Sequence, residues 1–230
     1  MNRKTQNLFP SPAAMAAKRV FDVALATAAL VLLFPLFAIA AAAVHLDSPG
    51  PVFFRQTRVG MGGRPFRIFK FRSMKVHDSK DAALVTVDGD DRVTRVGRFL
   101  RKTKLDELPQ LFNVLRGEMS IIGPRPEVPE YVEKYPQESR AMVLAVRPGL
   151  SDFASIKFRD ESKLLAARDD PMHYYEKTLL PAKLRYARFY VRRAGIMLDS
   201  LLIIWTLLAV LGWTPRQFRR GKTGTGGSGR

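Results

Sequence analysis

Two adjacent carboxylates, Asp106 and Glu107, are the residues whose type and spacing most directly suggest chemistry. They lie in LRKTKLDELPQLFNVLRGEMSIIGPRPE, between Arg101, Lys102 and Lys104 and a predicted helix. One interpretation is structural: the aspartate caps the helix and the glutamate complements its dipole. The other is functional: a carboxylate among cations stays ionised with a depressed pKa, ready to bind Mg²⁺ on a diphosphate or to attack phosphorus. The segment alone leaves both open.

Three further cations have the character of phosphate ligands. Arg125 stands between two prolines in GPRPE (123–127), which fix the backbone and so hold one guanidinium in place. A planar fork held in this way suits bidentate contact with phosphate, although a rigid loop with a solvated arginine explains the pattern equally well. Lys70 and Arg72, in FKFRSM, are cations on a strand of aromatic residues. They either bind phosphate or extend beside a membrane surface.

Several other kinds of site are excluded or disfavoured. The chain has no cysteine, which excludes a disulfide framework, a zinc ribbon, an iron–sulfur cluster and a cysteine nucleophile. Its three histidines, His45, His77 and His173, are scattered and have no ligand-like partner at helical spacing. Neither a P-loop nor a dinucleotide-binding glycine motif occurs. Carboxylates and cations therefore remain as the candidate chemical groups.

Composition limits the classes of partner. The 230 residues carry a net charge of +17 and are 47% hydrophobic, which predicts one domain with appended elements and an anionic partner. Nucleic acid, acidic lipid headgroups and phosphorylated small molecules all fit that charge. We expect no nucleic acid, because no motif that reads it is present.

The elements that must position these groups begin with a long apolar segment. Residues 23–44 form a run of 22 uncharged residues, about 33 Å as a helix and long enough to span a bilayer. Pro35 breaks this helix near its middle, and arginine or lysine flanks it on both sides. Because basic flanks favour the cytoplasm, a re-entrant helix that enters and leaves by one face satisfies both observations. A spanning helix with a tolerated proline is the alternative.

A second apolar stretch covers Ile196–Trp213. Asp199 interrupts it and leaves only 14 uncharged residues, which is short for a span. Two tryptophans within it suit a membrane interface, so we predict a helix that lies in or dips into the same leaflet. A buried core helix is the alternative.

The remaining chain predicts a helix-rich α+β domain with a small β-hairpin. The hairpin strands are residues 52–54 and 65–71, joined by a glycine-rich turn, and residues 79–91 form a mobile loop. Helices are expected within 92–105, 108–117, 128–146 and 181–193. The predicted organisation is listed from the N-terminus: a flexible tail over 1–17, the re-entrant helix over 18–46, a cytoplasmic catalytic domain over 47–194, an interfacial helix over 195–215 and a flexible tail over 216–230.

With these motifs assembled, the chain resembles the bacterial sugar transferases of the monotopic phosphoglycosyl transferase superfamily. The resemblance covers about residues 18–213 and rests on KRVFD, the proline-broken helix, SPGPVFFRQTRVG, FKFRSM, the LDELPQL block, IIGPRPE and RPGL. Many relatives continue after RPGL with a TGWAQVxGR-like run, where this chain has SDFASIKFR. That difference concerns the identity of the sugar rather than the transfer chemistry.

The resemblance implies a specific reaction. A sugar 1-phosphate would move from a UDP-sugar to polyprenyl (undecaprenyl) phosphate with release of UMP, on the cytoplasmic face of the bacterial inner membrane. By match to the family's dyad, Asp106 would be the nucleophile of a ping-pong reaction and a ligand of Mg²⁺, and Glu107 its partner in positioning and proton handling. Arg101 and Arg125 match positions for phosphate or nucleotide contact, and Lys70 and Arg72 are weaker matches.

Three alternatives stay open at this point. Asp106 could bind only Mg²⁺ while the lipid phosphate attacks directly, or the chain could be a non-enzymatic cationic module for membrane or nucleic acid. The sequence does not define the oligomeric state, for which a homodimer is one option. The absence of a long N-terminal extension predicts the minimal catalytic form.

Overall fold

A computed structural model describes residues 11–75 and 89–213. The strands form two separate pairs: β1 Phe53–Val59, β2 Pro65–Phe71, β3 Ser120–Ile122 and β4 Gly149–Ser151. The helices are α1 Pro12–Leu32, α2 Phe34–Asp47, α3 Arg95–Thr103, α4 Gln110–Leu115, α5 Pro129–Glu133, α6 Gln137–Val143, α7 Phe153–Lys157, α8 Glu161–Ala166, α9 Pro171–Tyr174, α10 Leu180–Val191 and α11 Ile196–Val210. The predicted helix-rich α+β class is confirmed. The predicted tail over 216–230 and most of the predicted mobile loop lie outside the described residues.

The N-terminal apolar segment forms a bent helix pair. α1 and α2 meet at Leu33 at an angle of 64°, and Pro35 lies in the first turn of α2. Proline lacks the N–H that would continue α1 and its ring clashes with the preceding turn, so the predicted break is confirmed. Taken singly, neither helix is long and apolar enough to cross a bilayer, whereas the pair together meets that criterion by length and composition.

The start of α1 corrects one predicted boundary. Residues 12–17, expected to belong to a flexible tail, are helical. The Ser11 side chain accepts a hydrogen bond from the Ala14 N–H at 3.2 Å, and Pro12 occupies the first helical position. This cap starts the helix before the apolar run begins.

The predicted hairpin is confirmed. β1 and β2 pair antiparallel, with Phe53 opposite Phe71 and Val59 opposite Pro65. Gly62 and Gly63 have φ values of 69° and 77° in the turn between them, a region that favours glycine. β1 is longer than the predicted 52–54, because its pairing continues up to the turn.

A second strand pair was not predicted. β3 and β4 run parallel, with Ser120 opposite Gly149 and Ile122 opposite Ser151. The two backbone segments approach so closely just after β3 that a Cβ on Gly149 would lie 2.0 Å from the Gly123 nitrogen. The helix predicted over 128–146 is instead two short helices, α5 and α6, separated at Pro136, where proline disfavours a helical conformation for the residue before it.

A polar junction fastens the N-terminal helix to the domain. Lys18 of α1 forms ion pairs with Asp22 at 3.5 Å and with Asp199 of α11. Asp22 also accepts hydrogen bonds from the Ser120 hydroxyl and the Ile121 N–H of β3. Because both carboxylates are almost wholly buried, this junction fixes the start of β3 and the loop that follows it.

The C-terminal helix α11 combines the two predicted environments. Asp199, Leu202 and Ala209 are buried against the domain, as in a core helix. Met197 and Leu207 on other faces are 88% and 61% exposed. One face of α11 therefore belongs to the core, and the other presents apolar side chains outward.

Candidate active site

A single 3₁₀ turn, Leu105–Glu107, carries both candidate carboxylates. α3 ends just before it at Lys104, the one non-glycine residue with positive φ in the described part of the chain (φ 61°, ψ 14°). Such a conformation is strained for a lysine and is frequent at functional sites. With three residues per turn, neighbouring side chains point in different directions. Asp106 and Glu107 consequently have different partners.

Glu107 is held by two cations from distant parts of the chain. The Nζ of Lys70, on β2, donates to its Oε1 at 2.8 Å. The guanidinium of Arg125 donates to both carboxylate oxygens, with Nη1 3.1 Å from Oε2. The structure thus brings together four of the candidate residues named from the sequence: Asp106, Glu107, Lys70 and Arg125.

These ion pairs determine how Glu107 ionises. Burial opposes ionisation of Glu107, but the charges of Arg125 and Lys70 hold its pKa well below the ordinary range. The negative charge of Glu107 in turn raises the pKa of Arg125. Burial lowers the pKa of Lys70, and the charge of Glu107 opposes that shift. Glu107 is therefore a fixed anion that positions two cations.

Asp106 behaves in the opposite way. It is 8% exposed, and its Oδ1 is buried without a hydrogen-bond partner. Burial and the neighbouring charge of Glu107 raise the pKa of Asp106, although Lys70, Lys104 and Arg101 oppose the shift. The expectation of a depressed pKa is therefore wrong for Asp106, because it counted nearby cations and not the loss of water, whereas Glu107 has the depressed pKa.

The structure also corrects the helix-cap interpretation. α4 begins at Gln110, and Pro109 occupies its N-cap position, where no side chain caps the helix. No hydrogen bond joins the carboxylate of Asp106 or Glu107 to the start of α4. Asp106 and Glu107 belong to their own short turn instead. Their burial has no capping role to explain it.

The Arg125 loop is held from several sides. The Arg125 N–H donates to Asp152 at 3.3 Å, and the Pro124 carbonyl accepts from the Gly149 N–H at 2.9 Å. Arg58 donates to the Pro126 carbonyl at 3.2 Å. The prolines thus act together with tertiary contacts to fix the arginine.

A buried polar cluster supports the end of the same loop, and sequence reasoning missed it. Glu127 accepts from the Tyr175 hydroxyl at 2.7 Å and forms ion pairs with Arg58 at 3.5 Å and Lys183 at 3.7 Å. Tyr175 opens a π-helical turn, a feature frequent near functional sites. Only the GPRPE motif pointed to this region, since the partners lie far apart in sequence.

The two other predicted phosphate ligands differ in placement. Arg101 lies on the last turn of α3, is half-buried, and its charge acts on Asp106. Arg72 is only 5% exposed, and its guanidinium donates to the carbonyls of Val44, Ser48 and Pro49. Its prediction as a phosphate ligand is corrected: Arg72 satisfies the open carbonyls at the end of α2, as cations at helix C-termini do.

The site has one group suited to a divalent cation. Within residues 11–75 and 89–213 there is no cluster of three acidic, histidine or cysteine side chains. Asp106 nevertheless offers a buried, unpartnered carboxylate oxygen. Mg²⁺ is commonly held by one or two carboxylates together with substrate phosphates. A single carboxylate beside a diphosphate therefore fits this ion.

Comparison with known proteins places the chain in a family. The profile described as "Bacterial sugar transferase" matches residues 13–213, a range that includes both apolar helix regions and the whole site. The chain belongs to the bacterial sugar transferase family. All four residues that meet at the candidate site lie inside the matched range, so they are part of the family domain.

Several curated proteins are similar to this family member. A UDP-N-acetylgalactosamine-undecaprenyl-phosphate N-acetylgalactosaminephosphotransferase of Aeromonas hydrophila is 40% identical over 207 residues, 89% of this chain and 46% of the relative. A UDP-glucose:undecaprenyl-phosphate glucose-1-phosphate transferase of Escherichia coli is 41% identical over 193 residues, 83% of this chain and 39% of the relative. This chain thus spans less than half of these two relatives.

One relative is of similar size. The exopolysaccharide production protein PSS of Rhizobium leguminosarum bv. phaseoli is 35% identical over 210 residues, covering 84% of this chain and 94% of the relative. The family domain is therefore nearly the whole of that protein.

Proposed function

We propose that this protein transfers a sugar 1-phosphate from a UDP-sugar to undecaprenyl phosphate, releasing UMP. The relatives named above that carry substrate names act on UDP-sugars and undecaprenyl phosphate, and the family domain covers most of this chain. One observation carries the proposal. A buried carboxylate, Asp106, has an unpartnered oxygen and lies beside a glutamate fixed by Lys70 and Arg125.

The proposed reaction has two displacements at one phosphorus. A carboxylate oxygen of Asp106 attacks the phosphorus that bears the sugar; a phosphorus–oxygen bond forms, and the bond to UMP breaks with UMP as leaving group. An oxygen of the lipid phosphate then attacks the same phosphorus. The bond to Asp106 breaks, the carboxylate is regenerated, and the product is a lipid diphosphate sugar. UMP leaves before the acceptor reacts, which is a ping-pong sequence.

The surrounding residues explain why Asp106 and not Glu107 attacks. Both oxygens of Glu107 already accept hydrogen bonds from Lys70 or Arg125, which lowers their nucleophilicity. The Oδ1 of Asp106 accepts no hydrogen bond, so its lone pairs are free to attack. Glu107 then serves to hold the two cations near the phosphates, where their charge stabilises the developing negative charge.

Mg²⁺ completes the proposal as a cofactor. Asp106 is the residue that would hold it, through the carboxylate oxygen that does not attack, together with oxygens of the donor diphosphate. When bound, the ion neutralises phosphate charge and makes UMP a better leaving group. Arg101 and Lys104 add positive charge that acts on Asp106.

The proposed substrate and the apolar helices both support a membrane location. The isoprenoid tail of the acceptor stays in lipid, so its phosphate is accessible at headgroup height. The bent pair α1–α2 and helix α11 expose apolar side chains that suit insertion into one leaflet: Val31, Leu32, Phe34, Ile39, Leu46, Met197 and Leu207. We propose a re-entrant anchor on the cytoplasmic face of a bacterial inner membrane.

Trapping the covalent intermediate tests the mechanism. The purified protein is incubated with Mg²⁺ and a UDP-sugar labelled in the sugar-proximal phosphate, without acceptor, and then examined by mass spectrometry. We expect label on Asp106, its loss in Asp106→Asn, and no effect of Asp160→Asn, since Asp160 is a largely exposed aspartate. Consumption of donor with an unmodified Asp106 would support direct attack by the lipid phosphate instead.

Accessibility labelling tests the anchor. Single cysteines at positions 3 and 64 are placed on either side of the bent helix pair, and the parent chain has no cysteine to interfere. The re-entrant arrangement predicts that a membrane-impermeant reagent modifies both from the same side. Labelling from opposite sides would establish a span.

A further inference from the structure

A cavity of about 190 Å³ lies apart from the candidate active site. It is lined by part of α1, by the segment 145–147 and by residues 194–196, which lead into α11, with Met61, Ser120 and Tyr190 completing the wall. The lining residues of α1 are Ala14, Met15, Ala17, Lys18, Arg19 and Asp22. Asp106, Glu107, Lys70 and Arg125 are not among its lining residues. The cavity thus lies where both apolar helices begin. If these helices enter one leaflet, it lies at the height of the lipid headgroups.

Two arginines converge at one side of this cavity. Arg19 donates to the carbonyls of Val114 and Leu115, at 2.7 and 3.1 Å, at the end of α4. Arg147 donates to the carbonyl of Gly117 at 2.8 Å, and the Arg19 guanidinium lies beside the same glycine. In the part of the chain that the structure describes, neither arginine forms an ion pair with a carboxylate.

The third cation of the cavity differs from these two. Lys18 is paired with Asp22 and Asp199, so its charge is already compensated. Arg19 and Arg147 donate to backbone carbonyls and form no ion pair, although the charge of Asp22 acts on Arg19 from a distance. An apolar cavity with two such guanidiniums is complementary to a molecule that combines an anionic head with a hydrocarbon chain.

We propose that this cavity binds one anionic phospholipid, with its phosphate at Arg19 and Arg147 and the first part of an acyl chain in the apolar interior. Basic pockets between membrane helices on the cytoplasmic side are known to bind such headgroups. An apolar cavity of about 150 Å³ holds benzene, so this one accommodates a short run of methylene groups. The inference rests on the proposed membrane location, and it is independent of the transfer chemistry.

Bound lipid would add a direct link between α1 and the segment 145–147, each of which already donates to carbonyls at or just after the end of α4. Its phosphate would accept charge-assisted hydrogen bonds from Arg19 of α1 and from Arg147 of the segment before β4. The same segment leads into the Gly149 contact with the Arg125 loop. Such a lipid would hold the anchor and the domain in a fixed relation.

Native mass spectrometry of the full chain in mild detergent tests the proposal, with phosphatidylglycerol and phosphatidylcholine as the added lipids. We expect one phosphatidylglycerol to bind at least about tenfold more tightly than phosphatidylcholine. Arg147→Gln should lower the affinity for phosphatidylglycerol about tenfold, since a hydrogen bond to a charged group contributes that much. The matched control is Arg140→Gln, which removes one exposed charge elsewhere on the surface. Ala145→Leu fills the cavity with both arginines intact and should also weaken binding.

The outcomes separate this proposal from the enzymatic one. Three outcomes would overturn the lipid-site proposal. They are equal binding of the two lipids, an equal effect of Arg140→Gln and Arg147→Gln, and displacement of phosphatidylglycerol by undecaprenyl phosphate in a one-to-one ratio. Thermal denaturation of each variant without added lipid identifies loss of folding, and Ala145→Leu then decides the case with both charges present. UMP release is measured in parallel: its absence in a protein that still selects phosphatidylglycerol counts against the proposed transferase and not against the lipid site.

Discussion

Replacing Lys18 by methionine should strongly destabilise the protein. The Lys18 ammonium is the cation shared by Asp22 and Asp199, whose side chains are 3% and 1% exposed. Removing one partner of a buried ion pair costs about 3–5 kcal/mol, because the remaining charge is desolvated and uncompensated. Asp22 also accepts a hydrogen bond from β3 and Asp199 accepts one from Tyr190, but these neutral donors do not neutralise the negative charge of the carboxylates. Against a total stability of about 5–15 kcal/mol for a typical domain, this is a large loss.

The measurement is urea denaturation in mild detergent, followed by tryptophan fluorescence, since Trp205 lies on the same helix as Asp199. Lys163→Met is the matched control, because its pair with Asp160 is 3.9 Å long and about 70% exposed on both sides, and exposed pairs contribute about 0–1 kcal/mol. Adding Asp199→Asn to Lys18→Met should recover part of the loss by removing one buried charge. A cost for Lys18→Met no larger than that of Lys163→Met would refute the buried junction.

Three further predictions concern the site. In the proposed mechanism Asp106 attacks only as an anion. Because burial raises the pKa of Asp106, UMP release should fall as the pH drops through that pKa. In pH profiles of kcat/KM, Lys70→Met should move the fall to higher pH and Glu107→Gln to lower pH; shifts in the same direction would contradict the electrostatics. Because the pKa of Asp106 is higher in the folded than in the unfolded state, ionisation of Asp106 destabilises the fold as the pH rises. Asp106→Asn should therefore raise Tm at neutral pH and lose this advantage in acid. An equal gain in Tm at neutral and acidic pH would show that the ionisation of Asp106 is not the cause. Gly149→Ala places a Cβ 2.0 Å from the Gly123 nitrogen, so it should separate β3 from β4 and lower both Tm and kcat/KM. Unchanged values of Tm and kcat/KM would show that the backbone segments at Gly123 and Gly149 can move apart without cost.

The features predicted correctly from the sequence depend on local chemistry. Proline at position 35 has one effect on a helix wherever the helix lies, so the bend followed from the residue itself. The hairpin followed from turn glycines between two aromatic segments. Asp106 and Glu107 stood out because they are adjacent and follow a run of cations. Each of these signals spans only a few residues.

The features that were missed depend on contacts between distant segments. Lys18 and Asp199 are separated by 181 positions, and nothing near either residue indicates the other. β3 and β4 have three residues each, too few for an alternating pattern to be recognised. Arg72 resembled a phosphate ligand by composition, but its partners are backbone carbonyls, which a sequence motif does not identify.

The unequal ionisation of Asp106 and Glu107 explains why the site needs a rigid surrounding. Lys70 and Arg125 stabilise Glu107, and that same fixed anion makes the ionised form of its neighbour less favourable. The folded protein therefore keeps an unpaired, buried carboxylate oxygen that would be more stable in water. A flexible loop would relax by turning Asp106 outward. The strained Lys104 and the loop fixed through Gly149 oppose that movement, so the fold prevents the carboxylate from finding a partner and keeps it available for the proposed attack.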